Sequence, residues 1–285
     1  EEKRKGEDPD NSKSLVAITI TYKSTPVGMA FAVDNNHLYL SRHQPMHRGT
    51  AILMMVSAIV QFRGTADGLE GVHGPLDEVN VFKNCWVLCS GAIAFPGSYM
   101  KSMCLDQLRT DPEEEESPRG ETGKLIVATK EHAAIVQHLF FSFMEEILHT
   151  NAHSNQKKAK SYAKHYMDQR SVFLWVNADS KSKPKVYSMV CIRAEGEDFV
   201  RLDYLFTPSE YRRRGYGFKC AKELCTLLMT GELEWKRCFN GVKRIVVLVD
   251  EVSLTACKIF TKVGFVESNA LVSSMKFGQK LRINT

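Results

Sequence analysis

The stretch that decides the fold of this chain is residues 205–217, Leu-Phe-Thr-Pro-Ser-Glu-Tyr-Arg-Arg-Arg-Gly-Tyr-Gly. Its first residues are typical of a β-strand end, and its two glycines stand where a helix begins rather than where one ends. The helix is predicted over Phe218–Met229, with an apolar stripe of Ala221, Leu224, Cys225 and Leu228. The stretch therefore predicts a strand, a glycine-containing loop and an amphipathic helix in direct succession.

A glycine loop at the start of a helix is suited to binding an anion. Gly215 and Gly217 carry no side chain, so a negatively charged group can approach the main-chain N–H groups closely. The helix dipole adds partial positive charge at the same place. Arg212, Arg213 and Arg214 add cationic side chains. Together these features indicate a binding site for a pyrophosphate group.

The spacing of the loop excludes two common phosphate-binding motifs. A Walker loop would need Gly-x-x-x-x-Gly-Lys-Ser/Thr, and a dinucleotide fingerprint would need a third glycine where this chain has Cys220. What remains, Arg212-x-x-Gly215-x-Gly217, resembles the acyl-CoA loop of the GNAT superfamily of N-acyltransferases, whose pattern is Arg/Gln-x-x-Gly-x-Gly/Ala. On these residues alone, a plain strand-to-helix turn is an alternative interpretation.

A second motif supports the resemblance. Residues 245–265 read Ile-Val-Val-Leu-Val-Asp-Glu-Val-Ser-Leu-Thr-Ala-Cys-Lys-Ile-Phe-Thr-Lys-Val-Gly-Phe. They are similar to the GNAT strand, the polar segment after it, and the helix that ends in Tyr-x-Lys-x-Gly-Phe. The pattern Thr-Pro-x-Glu-Tyr-Arg-x-x-Gly-Tyr within 207–216 resembles the branch that contains glycine N-acyltransferase-like proteins, whose members often pair a degenerate GNAT-like N-terminal domain with a working C-terminal one.

The resemblance implies an acyl-CoA-dependent N-acyltransferase, with acetyl-CoA or another acyl-CoA as donor and an amine as acceptor. In GNAT proteins the strand before the glycine loop separates from its neighbour, and its backbone pairs with the pantetheine arm. The residues at the matched positions are Leu205, Phe206, Thr207, Arg212, Arg213, Arg214, Gly215, Tyr216, Gly217, Ser253 and Phe260. The resemblance thus predicts a cofactor site in the C-terminal half.

Asp203 is the candidate catalytic residue, because it is the one carboxylate in the span 201–207. Buried near the strand separation, it would have a raised pKa and could accept the proton of the attacking amine. The alternative is a solvent-facing carboxylate paired with Arg201, two residues away on the same strand. Glu210, which lies in the loop, is a weaker candidate.

Two positions depart from the GNAT pattern. Phe260 stands where the family often has a tyrosine that protonates the leaving thiolate, and Ser253 stands where it often has an asparagine. Neither change removes the cofactor loop, but both leave the general acid unassigned. Two alternatives to an enzyme therefore stay open, namely a non-catalytic acyl-CoA-binding protein and a protein-interaction module on the same fold.

The composition limits the classes of protein to which this chain can belong. The 285 residues are 44% hydrophobic and 25% charged, with a formal net charge of +5, which predicts a globular protein without a nucleic-acid-binding surface. No apolar run reaches membrane-spanning length, no signal segment is visible in residues 1–14, and none of the eight cysteines forms a CxxC pair. These features predict a cytoplasmic, reducing location, no membrane association and no metal site; the oligomeric state stays open.

The fold class expected is a mixed α/β fold, α+β in part, with a mixed central sheet flanked by helices and two GNAT-like domains in tandem. Residues 1–14 are predicted to be a disordered tail, 15–109 a degenerate GNAT-like domain, 110–123 an acidic linker, and 124–285 the acyl-CoA-binding GNAT domain. The N-terminal half has no Gly-x-Gly before its helix, so it should not bind a pyrophosphate. His73, beside Gly74 and Pro75, is predicted to be a turn residue rather than a catalytic one.

Overall fold

The structure is a computed structural model that describes residues 16–33, 37–63, 69–108, 123–148, 152–177, 185–195, 198–233 and 242–278. The predicted disordered tail lies outside the described residues, and so does the acidic linker except for its last residue, Gly123. The chain forms two compact units, one made of residues 1–101 and 269–285 and the other of residues 102–268.

The first unit is a mixed sheet with two helices. Its elements in chain order are β1 (Val16–Tyr22), β2 (Thr25–Val33), β3 (His37–Leu40), α1 (Arg48–Arg63), β4 (Gly71–Pro75), α2 (Leu76–Ser90) and β5 (Ile93–Leu105). Strands β1, β2 and β3 are antiparallel, and β4 runs parallel to β3. Lys23 and Ser24 both have positive φ, as a tight hairpin between β1 and β2 requires. Buried Ile52, Phe82 and Trp86 from the two helices pack in its core.

The second unit has a larger sheet with two pairs of helices. Its elements are β6 (Gly123–Val127), α3 (Ala133–Leu148), α4 (Ala152–Asp168), β7 (Val172–Asn177), β8 (Val186–Ala194), β9 (Phe199–Phe206), α5 (Tyr216–Thr230), β10 (Arg244–Asp250), α6 (Leu254–Val263) and β11 (Val266–Gly278). The strand order is β5-β10-β9-β8-β7-β6, in which β6 to β9 are antiparallel and β10 is parallel to β9. Helix α5 therefore connects two parallel strands that are neighbours.

Both faces of this second sheet are covered, which explains the continuous apolar sequence of β7. Phe173 and Trp175 pack in a core with residues of α5 and α6, whereas Leu174 and Val176 pack in a second core with residues of α3 and α4. Alternate residues of a strand face opposite sides of the sheet, so a strand that is buried on both sides reads as an uninterrupted apolar run.

From β7 onward the second unit repeats the order of elements of the first, whereas β6, α3 and α4 precede the repeat. Three antiparallel strands are followed by a helix, a strand parallel to the third, a second helix and a long strand of 13 residues, β5 in one case and β11 in the other. The two long strands do not follow the division of the sequence into halves. Residues 102–105 of β5 belong to the second unit, and residues 269–278 of β11 belong to the first, where β11 pairs with β4. The assignment of 15–109 and 124–285 as separate domains stays a prediction.

Candidate functional site

The candidate site begins where β9 and β10 stop pairing. Their parallel ladder joins Phe199–Leu202 to Arg244–Val247 and then ends, although both strands continue. On its other side β9 stays paired with β8 as far as Phe206. The end of β9 therefore has a strand neighbour on one edge and an open edge on the side of β10.

The orientation of the β9 backbone follows from one hydrogen bond. The Ser188 hydroxyl donates to the Phe206 carbonyl at 3.0 Å, so this carbonyl faces β8. Successive peptide groups of a strand alternate in direction, so the N–H and C=O of Leu205 face the open edge. An extended ligand lying in the gap would thus find a donor and an acceptor there.

A β-bulge lies at the point of separation. Cys191 of β8 pairs with Tyr204 and Ile192 pairs with Leu202, so Asp203 is the extra residue on β9. A bulge bends the strand and increases its local twist. The bulge thus accompanies the departure of β9 from β10 immediately after Leu202.

The corresponding strands of the first unit stay together. β3 and β4 pair up to Tyr39 and His73, and a Cβ at Gly74 would lie 2.8 Å from the Leu40 carbonyl oxygen. His73 lies in β4, so its prediction as a turn residue is wrong; its Nε2 is 3.2 Å from Nδ1 of His37 on the neighbouring strand. The gap seen in the second unit is absent here.

The open edge of β9 lies beside the N-terminus of α5. Gly215 caps this helix with φ 78°, and Arg213 also has a positive φ of 62°. The first N–H groups of a helix have no partner within it, and left-handed residues before them turn further N–H groups toward the same point. A Cβ on Gly217 would lie 3.1 Å from Thr207 Oγ1, so glycine keeps the helix start close to the strand end.

The three arginines of the motif have different environments. Arg213 and Arg214 are exposed and form no ion pair or hydrogen bond within the described part of the chain. The Arg212 guanidinium is held by the protein, because its Nε donates to the Thr207 carbonyl at 2.9 Å and its terminal nitrogen pairs with Glu146 of α3. Two cationic side chains are thus available to an anion bound at the helix start.

Comparison with known proteins gives agreement in fold at low sequence identity. No family model and no curated protein sequence matches the chain. The solved structures that resemble it include a GNAT-family acetyltransferase from Colwellia psychrerythraea, at 14% identity and TM-score 0.53, covering 93% of this chain and 85% of that one. A tandem GNAT protein from the clavulanic acid biosynthesis pathway, at 13% identity and TM-score 0.53, covers 94% and 83%. A GCN5-related N-acetyltransferase from Sphaerobacter thermophilus, at 12% identity and TM-score 0.55, covers 91% and 79%.

The chain has the GNAT fold. The expected mixed α/β architecture with two GNAT-like units in tandem is thereby confirmed, since the matches span more than nine-tenths of the chain and one of them is itself a tandem protein. Within the described residues, no helix combines the length and apolarity needed to cross a bilayer. The same residues contain no group of three or more His, Cys, Asp or Glu side chains arranged to hold a metal ion.

The remaining cofactor-loop residues of the GNAT pattern contribute mainly packing. Phe206 is buried against the α3 side of the sheet, and Leu205 packs partly buried on the α5 side. Tyr216 is also buried, and its ring stacks on Tyr187 at a centroid distance of 4.3 Å. Thr207 Oγ1 lies 3.0 Å from Ser188 Oγ, which ties the strand end to β8.

The two departures from the GNAT pattern lie on or before α6. Ser253 precedes the helix and is half-buried, with no side-chain hydrogen bond that caps the helix. Phe260 is only 4% exposed, and its ring packs edge-on against Phe265 at 5.3 Å between centroids. Position 260 is therefore a core position in this protein.

Asp203 combines features of both sequence interpretations. Its side chain is 8% exposed, as a buried base requires, and it pairs with Arg201 at 2.6 Å, as the alternative predicted. It also pairs with Arg193 of β8 at 2.8 Å and accepts a hydrogen bond from the Tyr166 hydroxyl of α4. Burial raises the pKa of Tyr166 well above its ordinary range, and the bond to Asp203 raises it further.

Tyr166, Arg193 and Glu146 contact the candidate residues Asp203 and Arg212, and the sequence did not indicate these contacts. Tyr166 and Asp203 are 37 positions apart, and Glu146 and Arg212 are 66 apart. No local motif surrounds them, so their roles depend on how α3, α4 and β8 pack around β9.

Proposed function

We propose that this protein is an acyl-CoA-dependent N-acyltransferase that transfers an acetyl or other acyl group to a small amine or amino acid. The acceptor class rests on the resemblance of residues 207–216 to the glycine N-acyltransferase-like branch. The acyl-CoA donor class rests on the strand gap and the helix start of the second unit. We also propose a cytoplasmic location.

The observation that carries the proposal is the gap between β9 and β10 beside the start of α5. The ladder ends at Leu202 and Val247, and the helix that follows β9 begins with left-handed Gly215 at its cap. A pantetheine arm fits an open strand edge because both are extended hydrogen-bonding chains, and a pyrophosphate fits a helix N-terminus because of its charge. Leu205, Gly217 and the exposed Arg213 and Arg214 are the residues that would hold them.

The bound donor supplies a thioester carbonyl for attack by the neutral amine. The Leu205 N–H faces the gap and would stabilise negative charge on the carbonyl oxygen. Phe206 is buried and Leu205 partly so, which limits water at the end of the strand. Asp203, on the strand just before this position, is proposed to take up the amine proton.

A second candidate is a non-catalytic acyl-CoA-binding protein, favoured by the position of Phe260. The phenyl ring cannot donate a proton, and it is 4% exposed and packs against Phe265 in the core. A thiolate can leave without protonation, so the loss slows transfer rather than preventing it.

The test is a pair of matched glycine variants at the two ends of α5. Gly215 and Gly231 have nearly the same left-handed backbone, with φ of 78° and 75°, so Asp at either position causes similar strain. Only Gly215→Asp places a carboxylate at the proposed pyrophosphate site. By calorimetry, Gly215→Asp should weaken CoA binding by at least about 100-fold, the size expected for a like charge in an anion site, and Gly231→Asp by only a few-fold.

Unchanged CoA affinity in Gly215→Asp would refute the site. Free thiol release from acetyl-CoA, measured over a panel of amines and amino acids, then separates the two candidates. Binding without thiol release for every acceptor supports the binding protein over the enzyme.

A further inference from the structure

The first arginine of the glycine loop, Arg212, already has hydrogen-bond and ion-pair partners within the protein. Arg212 Nε donates to the Thr207 carbonyl, its terminal nitrogen pairs with the Glu146 carboxylate, and its guanidinium carbon lies 5.7 Å from the centre of the Phe206 ring. A planar guanidinium with three such contacts is fixed in orientation. Arg212 thus connects the end of β9 with the glycine loop.

Glu146 belongs to α3, which packs on the face of the sheet opposite to α5. It lies near the end of α3, and Phe143, one turn earlier on the same helix, packs against Phe206 and Tyr204 at 6.0 and 5.2 Å between ring centroids. Residues three apart lie on one face of a helix. The Phe206 ring therefore contacts both Phe143 and Arg212. The Arg212–Glu146 ion pair is a second contact between α3 and the glycine loop.

The negative charge of Glu146 has two opposite effects on binding of the anion. As a carboxylate near an anion site it would repel the pyrophosphate, and as a partner of Arg212 it would hold the loop in the binding conformation. The pair is only partly exposed, at 33% for the Glu146 side chain and 44% for Arg212, and Arg212 has a second hydrogen bond and a ring contact. Orientation of the loop is the stronger effect, since Arg213 and Arg214 remain exposed to attract the anion.

We infer that Glu146 is a positioning residue of the cofactor loop, which acts through Arg212 to hold residues 207–215 in the conformation that presents the N–H groups of α5. The inference rests on the proposed function, because the ligand it serves is CoA. Helix α3 packs on the opposite face of β9 from α5. The inference gives α3 a part in the affinity for the acyl donor.

The experiment measures CoA affinity by calorimetry on the full chain. Glu146→Gln should weaken CoA binding about three- to tenfold, which corresponds to loss of a partly exposed, hydrogen-bonded pair. The control is Glu145→Gln, which removes the same charge from the adjacent, exposed residue; it has no ion pair in the described chain and should bind as the wild type does. Glu146→Asp keeps the charge and should recover part of the affinity.

A double-mutant cycle tests whether the effect passes through Arg212. Arg212→Gln alone should weaken binding, and adding Glu146→Gln to it should cause little further loss. Equal or tighter CoA binding by Glu146→Gln, or full additivity with Arg212→Gln, would overturn the inference while leaving the proposed function intact. Failure of the wild type to bind CoA would overturn both.

Discussion

At the residue scale, one network of side chains joins the candidate base to two other elements. Asp203 pairs with Arg193 and Arg201, and the Tyr166 hydroxyl both donates to it and accepts from Arg193 at 2.8 Å. A carboxylate that is 8% exposed and has these partners has a structural role in any case. The proposed function adds a second role for Asp203, which is to take a proton from the acceptor amine.

The first prediction separates these roles with Asp203→Asn and Tyr166→Phe. Asp203→Asn removes the carboxylate that pairs with Arg193 and one of the two that pair with Arg201, which keeps Glu195, so it should lower the free energy of unfolding by about 2–4 kcal/mol. If Asp203 is the base, turnover of the folded variant should also fall about 10²-fold or more and recover as pH rises, because the free amine then forms in bulk water.

Tyr166→Phe is the control, because it removes a partner but leaves the carboxylate. It should keep turnover within a few-fold of the wild type. Thiol release across a pH series with an amine substrate gives the answer, and matching pH profiles for wild type and Asp203→Asn would remove Asp203 as the base.

A second residue-scale prediction concerns pH and His43 of the first unit. His43 is 1% exposed, both ring nitrogens lack a partner in the described chain, and burial lowers its pKa below the ordinary 6.5 despite the opposing charge of Glu78. The unfolded chain therefore binds a proton that the folded one resists. Stability should be full above about pH 6.5 and fall as pH decreases below it, at about 1.4 kcal/mol for each unit of pKa difference.

Chemical unfolding at pH 7.5 and pH 5 measures this dependence. His43→Gln should reduce the loss of stability on acidification. Some loss should remain in His43→Gln, because burial, and then the charge of His37, lowers the pKa of His73 as well. An unchanged pH dependence would mean that His43 does not titrate on unfolding.

At the scale of elements, the first unit and the second unit from β7 onward share one order of strands and helices but differ at the parallel pair. In the first unit β3 and β4 pair up to Tyr39 and His73. In the second, β9 and β10 separate after Leu202 and Val247. The same arrangement thus leaves a strand edge unpaired in the second unit and keeps the two strands paired in the first.

The element-scale prediction is that CoA protects only the second unit from hydrogen exchange. Amides of residues 203–207 and of the first turn of α5 should exchange more slowly with CoA, because they gain an acceptor or lose access to water. Residues 37–40 and the first turn of α1 should not change. Equal protection in both units, read by mass spectrometry, would contradict a single site.

The sequence predicted helix α5 but misjudged where it begins. Helix α5 begins at Tyr216, two residues before the predicted start, because Gly215 already caps it. The last strand, β11, continues for 13 residues and pairs with β4, which no local pattern indicated. Helix and strand periodicity identifies the middle of an element well, whereas its ends depend on caps and on partner strands.

At the scale of the whole molecule, each compact unit draws on both halves of the sequence. Met103 and Leu105, at the end of β5, are 4% and 1% exposed in the core of the second unit. Residues 272–276 of β11 pair with β4 in the first unit. A cut of the chain at the predicted linker would therefore remove core residues from the second unit.

The whole-molecule prediction is that Leu105→Ala destabilises the second unit. Removing a buried leucine should cost about 2–5 kcal/mol, and the loss should appear as faster amide exchange in α5 and β10. Met55→Ala, in the core of the first unit, is the matched control and should act on α1 and α2 instead. Equal loss of protection in α1 and α5 for both variants would contradict the assignment of Leu105 to the second unit.

The sequence by itself determined the glycine loop, its place at the start of a helix and its restriction to the C-terminal half. These properties depend on residues within one turn of each other, such as Gly215 and Gly217, where local geometry leaves few alternatives. Only the tertiary structure decided that β9 leaves β10 after Leu202, that Asp203 binds Tyr166 and that Arg212 pairs with Glu146. Such contacts join segments tens of residues apart, and local propensity cannot select one tyrosine or glutamate among many as the partner.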